Sequence, residues 1–168
     1  MRSGYKARFR RRRMEPVCYT LEGALEKAID EEKKSVKVYR EAMKKVEDPH
    51  ARALLKELAK EELEHRDALE KALIGETVAH LDPEEPSGPS MELSYFLEEK
   101  PLSENSTAQD VMIYAIHEEK RSVDFYQQMA NHCKGAPMGD LFSKLHQQEM
   151  AHLTKLEEAY EKLYMTHM

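Results

Sequence analysis

The sequence is poor in the residues that build small cross-linked or loop-rich folds: it has no tryptophan, two cysteines, six glycines and seven prolines in 168 residues. Cys18 and Cys133 lie far apart and no C-x-x-C pair exists. A structural zinc site or a rubredoxin-type iron centre needs about four clustered ligands, so neither is expected, and the cysteines read as idle thiols of a reducing compartment. No apolar run approaches the roughly 18 residues of a membrane span. The basic N-terminus leads into MEPVCYTLEG, which is not the apolar core of a secretory signal. A soluble, cytoplasmic protein is therefore expected. Positive charge is in deficit over the body, the net charge being −6, which argues against general nucleic-acid binding.

What the sequence does have is Glu, Lys, Leu and Ala, with 40% hydrophobic and 35% charged residues. That mixture favours helices, and the length suits one domain with a substantial core. Seven of the first 13 side chains are basic. Like charges at that density repel one another. Residues 1–19 are therefore expected to be a flexible basic arm, the one part of the chain suited to nucleic acid, an anionic membrane surface or an acidic partner. Residues 20–168 are expected to form the folded domain.

The domain contains an internal repeat. Glu62-Leu63-Glu64-His65 returns as Glu149-Met150-Ala151-His152, a step of 149 − 62 = 87, and AIDEEKKSVKVY (28–39) returns as AIHEEKRSVDFY (115–126) at the same step, 119 − 32 = 87. The chain is two copies of one helix pair, each with a Glu on its first helix and Glu-x-x-His on its second. Apolar spacing predicts helices over about 20–47, 49–74, 107–131 and 138–164, with Thr20, Asp48 and Thr107 as N-caps. Their apolar stripes are Leu25, Ile29, Val36, Tyr39 and Met43; then Leu55, Leu58 and Leu69; then Met112, Ile116, Val123 and Tyr126; then Leu141, Leu145 and Leu156. Glu32, Glu62 with His65, Glu119, and Glu149 with His152 fall inside these stripes. Glu31 lies about 100° round the helix from Glu32, which is why Glu32 is chosen.

Residues 76–106 hold Pro83, Pro86, Gly88 and Pro89 and cannot be one long helix. One or two short helical turns are expected within 91–98. A two-fold axis across the bundle would set both motifs at one depth, and helix 3 would then start at the end opposite to that where helix 2 stops. The connection must cross a helix length, about 36 Å for ~24 residues.

Between Leu54–Leu69 and Leu141–Leu156, five of sixteen positions are identical: three Leu pairs, the Glu pair and the His pair. The halves share an interior and a set of candidate ligands. A buried, unpaired carboxylate costs several kcal/mol, and four together repel. Four carboxylates and two neutral imidazoles sum to −4, which two divalent cations cancel. Glu-x-x-His sets both side chains on one face, one turn apart, as in dinuclear bundle sites. The mixed oxygen and nitrogen donors suit iron or manganese.

These motifs, Glu32…Tyr39 and Glu119…Tyr126 with the two Glu-x-x-His elements, resemble the ferritin-like superfamily and, within it, the rubrerythrin-type di-iron domain, from about Leu21 to Leu163. The resemblance implies an all-α four-helix bundle with an internal two-fold repeat and a long crossover between helices 2 and 3. It implies that Glu62 and Glu149 bridge two iron ions, that Glu32 and Glu119 are terminal ligands, and that His65 and His152 cap one metal each. Two features differ from rubrerythrins proper: the sequence has no C-x-x-C pairs of a rubredoxin-like domain, and Ser122 stands where a further Glu would follow the third-helix ligand. Both bear on peroxidase activity rather than on the metal ligands.

The expected function is that of a di-iron oxidoreductase reducing hydrogen peroxide or dioxygen with an external electron donor, in a homodimer. Ferroxidase or iron handling is the first alternative, and a metal-stabilised interaction module without turnover the second. A storage cage is disfavoured because little chain follows Tyr164. Tyr39 and Tyr126 are expected to pack in the core with hydroxyls bonded across the bundle. His146 is expected beside the site without ligating and His117 on the surface. Glu57, Glu61 and Glu64 are expected on the solvated face, paired with lysines.

Overall fold

A computed structural model describes residues 21–75 and 85–165 of the chain. Thr20, the proposed cap of the first helix, and the basic arm lie outside the described residues. The fold is all-α, a ferritin-like four-helix bundle: α1 (Leu21–Lys45), α2 (Pro49–Leu73), α3 (Ala108–His132) and α4 (Pro137–Tyr160). A π-helical turn, Glu161–Met165, continues α4.

The boundaries follow from local chemistry. α1 stops two residues before the expected Glu47 because Pro49 disfavours helical geometry at the residue before it, and Asp48 is extended, with ψ 124°. Asp48 then caps α2, accepting from the Ala51 amide at 2.8 Å, with Pro49 in the first turn. α2 ends one residue before the expected Ile74, and Gly75 follows at φ 75°, a conformation that favours glycine. Thr107 and Asp110 form a reciprocal capping box on α3. At the α3–α4 turn, a Cβ on Gly139 would lie 2.3 Å from the Cys133 carbonyl oxygen, so the two helices approach there only because that side chain is missing.

α1 packs along α2, and α3 along α4, as two hairpins joined chiefly through α1 and α3. The apolar core is split. One cluster joins the C-terminal half of α1 and the N-terminal half of α2 to the start of α3 and the end of α4, with Val46, Leu55, Met112 and Tyr160. The other joins the opposite ends, with Leu25, Leu69, Met129 and Phe142. The start of α3 therefore lies at the end of the bundle where α2 begins, not where it stops. The connection crosses the bundle, as the two-fold arrangement requires. Lys45 at the end of α1 donates to the Glu104 and Ser106 carbonyls, both at 2.9 Å, just before α3.

The described part of the crossover, 85–107, is tied down along its length. It holds one 3₁₀ turn, Leu93–Tyr95. Glu157 of α4, fully buried, accepts from the Met91 amide at 2.8 Å, the Leu93 amide at 2.9 Å and the Ser90 hydroxyl at 3.2 Å. Arg121 of α3 makes a two-pronged pair with Glu99. His117, expected on the surface, is half-buried instead and donates from Nε2 to the Leu97 carbonyl at 2.8 Å. The crossover covers the flank of α3 that an isolated bundle would leave to solvent. No described helix is long and apolar enough to cross a membrane.

Candidate metal centre

Between the two apolar clusters the interior is polar. Glu32, Glu62, His65, Glu119, Glu149 and His152 are all buried, none more than 2% exposed. All four helices contribute. Glu31, the rejected neighbour of Glu32, is half-buried and pairs with Lys34 at 2.9 Å, so the choice within that Glu-Glu pair agrees with the burial.

The six side chains fall into two donor groups. Glu32, Glu62, His65 and Glu149 each offer an atom within 4.8 Å of the others, and so do Glu62, Glu119, Glu149 and His152. Glu62 and Glu149 belong to both groups; Glu32 with His65, and Glu119 with His152, belong to one each. The two imidazoles stack nearly parallel, with centroids 5.4 Å apart and planes 10° apart. The 87-residue repeat is thus a spatial repeat about the centre of the bundle.

The hydrogen-bonding balance within the cluster does not close. His65 Nδ1 faces Glu62 at 2.9 Å, Glu149 at 3.2 Å and Glu32 at 3.7 Å. His152 Nδ1 faces Glu62 at 3.0 Å, Glu119 at 3.8 Å and Glu149 at 4.0 Å. One N–H cannot serve three carboxylates. Glu119 Oε2 and both Glu149 oxygens are buried without a hydrogen-bond partner. The approach of Glu149 to His65 is close enough for an ion pair but lacks the geometry of a hydrogen bond. Buried, unsatisfied oxygens converging from two helices are what a cation fits, and a donor set of four carboxylates and two imidazoles, with no thiolate, suits a hard or borderline divalent ion.

Without a cation the charges must be shared by protons. Burial holds the Glu32 carboxyl well above its usual range, and the charges of Glu62 and Glu149 add to that. Burial does the same to Glu119, again with Glu149. Burial would raise Glu62 too, but His152 and His65 outweigh it and hold that carboxyl below its ordinary value. For His65, burial opposes the charged form, yet contacts with Glu149, Glu32 and Glu62 push its pKa well up. His152 behaves likewise, raised by Glu62 and Glu61 against the effect of burial. The cluster therefore favours binding protons at Glu32, Glu119 and the two imidazoles, the positive charge that a cation would otherwise supply.

The tyrosines sit where the repeat puts them. Tyr39 of α1 donates to Glu119 of α3, and Tyr126 of α3 donates to Glu32 of α1. Each hydroxyl crosses the bundle to the carboxylate of the opposite repeat. His146 is half-buried and donates from Nδ1 to the Val123 carbonyl at 3.1 Å; it is absent from both donor groups. Glu57 is exposed and Glu64 pairs with Lys60 at 3.2 Å, as expected of solvated-face charges. Glu61 departs from that expectation: its Oε2 lies 2.7 Å from His152 Nε2. Helical periodicity puts Glu61 on the flank of α2, and only the position of α4 brings His152 to it. Glu157 was also missed, since its repeat partner Glu70 is exposed and no motif marks it.

The family model described as Rubrerythrin matches residues 23–161. No curated protein and no solved structure matches the chain. With most of its length covered, the chain belongs to the rubrerythrin family.

Proposed function

From this family membership and the two overlapping donor groups, we propose that the protein is a di-iron oxidoreductase that reduces hydrogen peroxide or dioxygen at a buried, carboxylate-bridged site. The observation that carries the reading is the sharing of Glu62 and Glu149 between both donor groups. In this reading Glu62 and Glu149 would serve both ions, Glu32 and His65 would help hold one, and Glu119 and His152 would help hold the other. Manganese is the second choice of metal, since the donor set suits both.

Bound ferrous ions would supply one electron each to the oxidant. The chain's own residues set the conditions for that transfer. Tyr126 and Tyr39 hold Glu32 and Glu119 by hydrogen bonds, fixing each terminal carboxylate toward the centre. The apolar clusters on either side exclude bulk water and favour small, neutral oxidants. Reduction of hydrogen peroxide to water consumes two electrons and two protons. A separate reductant would restore the site. A homodimer belongs to the same proposal; the exposed Tyr95 and Phe96 on the crossover offer an apolar patch for it.

The test is stopped-flow mixing of the Fe(II)-loaded protein with peroxide and, separately, with oxygen, following iron oxidation and its stoichiometry. Faster oxidation by peroxide, complete at two irons per chain, supports the reading. Faster oxidation by oxygen, with ferric iron accumulating beyond two per chain, rejects it in favour of ferroxidase and iron handling. Metal binding without turnover by either oxidant rejects it in favour of a metal-stabilised interaction module.

A further inference from the structure

Glu61 touches the centre from outside. Its Oε2 is 2.7 Å from His152 Nε2 and 3.9 Å from Lys155 Nζ, and its side chain is 25% exposed where that of His152 is 1% exposed. The other imidazole nitrogen, Nδ1, faces Glu62, Glu119 and Glu149. A carboxylate can only accept a hydrogen bond, so Nε2 must carry the proton given to Glu61. With that proton held on Nε2, the proton that Nδ1 shares with Glu62 at 3.0 Å is the one a cation displaces, and its loss leaves the Nδ1 lone pair aimed at the donor group. Glu61 therefore selects the tautomer a cation needs and holds the ring in place.

The other half of the site has no carboxylate at the corresponding place. One repeat step from Glu61, 61 + 87 = 148, the sequence has Gln148. Among the described residues the ion-pair contacts of His65, with Glu32, Glu62 and Glu149, are all made through Nδ1, so no carboxylate holds its Nε2. The repeat has kept the ligands and broken the symmetry one layer out.

We propose that Glu61 is a positioning residue that makes the two metal subsites unequal, so that the Glu119–His152 subsite takes a divalent cation first and more tightly than the Glu32–His65 subsite. The inference rests on the reading of the cluster as a two-metal site. A carboxylate behind a ligating imidazole fixes its orientation and raises its basicity, and losing such a partner costs about 10–100-fold in metal affinity.

The test is an anaerobic titration of the full-length, metal-free protein with Co(II), followed by its visible absorption and fitted to two binding steps. In the wild type two ions bind per chain in separable steps. Glu61→Gln keeps the shape and removes the charge; it weakens the tighter step by about 10–100-fold and leaves the weaker step within about threefold. Gln148→Glu, the reciprocal change, tightens the weaker step. In a His152→Ala background, Glu61→Gln has no further effect. Far-UV circular dichroism of each metal-free variant checks that the bundle is intact. Two bound ions with both constants unmoved in Glu61→Gln, or with both weakened equally, overturn the role of Glu61 and leave the dinuclear reading standing. Fewer than two ions in the wild type overturn both.

Discussion

Each carboxylate in the centre carries a free-energy cost that only a cation or a proton can offset, and this gives the metal-free protein an unusual response to pH. Glu32 and Glu119 bind their protons more tightly folded than unfolded, as do His65 and His152. The folded state thus holds more protons, and stability falls as pH rises: from the ordinary carboxyl value of 4.5 upward for the two Glu residues and from 6.5 upward for the two His residues. Glu62, shifted the other way, contributes stability above 4.5 that is lost in acid. Metal binding at these groups would require their deprotonated forms and would strengthen as pH rises. The stabilities of the metal-free and Fe(II)-loaded proteins, measured by chemical denaturation between pH 5 and about 8, should therefore diverge with rising pH; parallel curves would contradict the shared-proton account.

Glu119→Gln separates these two demands. Gln resembles the protonated acid and still accepts from Tyr39, so the metal-free protein should gain about 1–3 kcal/mol at about pH 8, where the buried Oε2 of Glu119 otherwise lacks a partner. The gain should vanish near pH 5, and the bound metal should drop from two ions per chain. Denaturation of the variant at both pH values, with metal analysis, checks this. An equal loss of stability at both values would show Glu119 to be a packing residue instead.

The helices are tied to one another at positions of uneven legibility. α1, α2 and α3 begin or end within about two residues of where Asp48-Pro49, Gly75 and Thr107 put them, because caps and breakers act locally. The crossover is different. Glu157 holds three of its donors, and replacing that residue with Ala would leave two backbone amides unpaired, that of Leu93 buried and that of Met91 half-buried. Glu157→Ala should cost about 2–4 kcal/mol and raise hydrogen exchange at the Met91 and Leu93 amides selectively. Unchanged protection at those amides would show that the crossover is held by packing alone. Nothing in the sequence distinguishes Glu157 from the exposed Glu158 beside it, since what buries it is a segment more than sixty residues away. His117 and Glu61 were expected on the solvated surface for the same reason: their partners lie on the crossover and on α4, and helical periodicity reports only the inward face of one helix at a time. The six centre residues were legible because they sit on that inward face and recur at one step.

The bundle as a whole is organised by the interruption in its core. Two apolar clusters, one at each end, are separated by the ionisable layer at mid-length, so the helices are packed at their ends and held apart or together at the centre by charge. α2 and α4 meet least closely of the adjacent pairs, and they carry the two Glu-x-x-His motifs. A metal pair would join the two hairpins at the one level where apolar packing does not. It would also explain why a chain with so few cross-linking features can keep four carboxylates in its interior.

The most direct measurement is anomalous diffraction from crystals of the full chain grown with Fe(II) or Mn(II). Two peaks per chain should appear, about 3.5–4 Å apart, one within reach of Glu32 and His65, the other of Glu119 and His152, and both beside Glu62 and Glu149. An empty interior, or metal bound only at surface carboxylates while all six side chains keep their buried positions, would contradict the account.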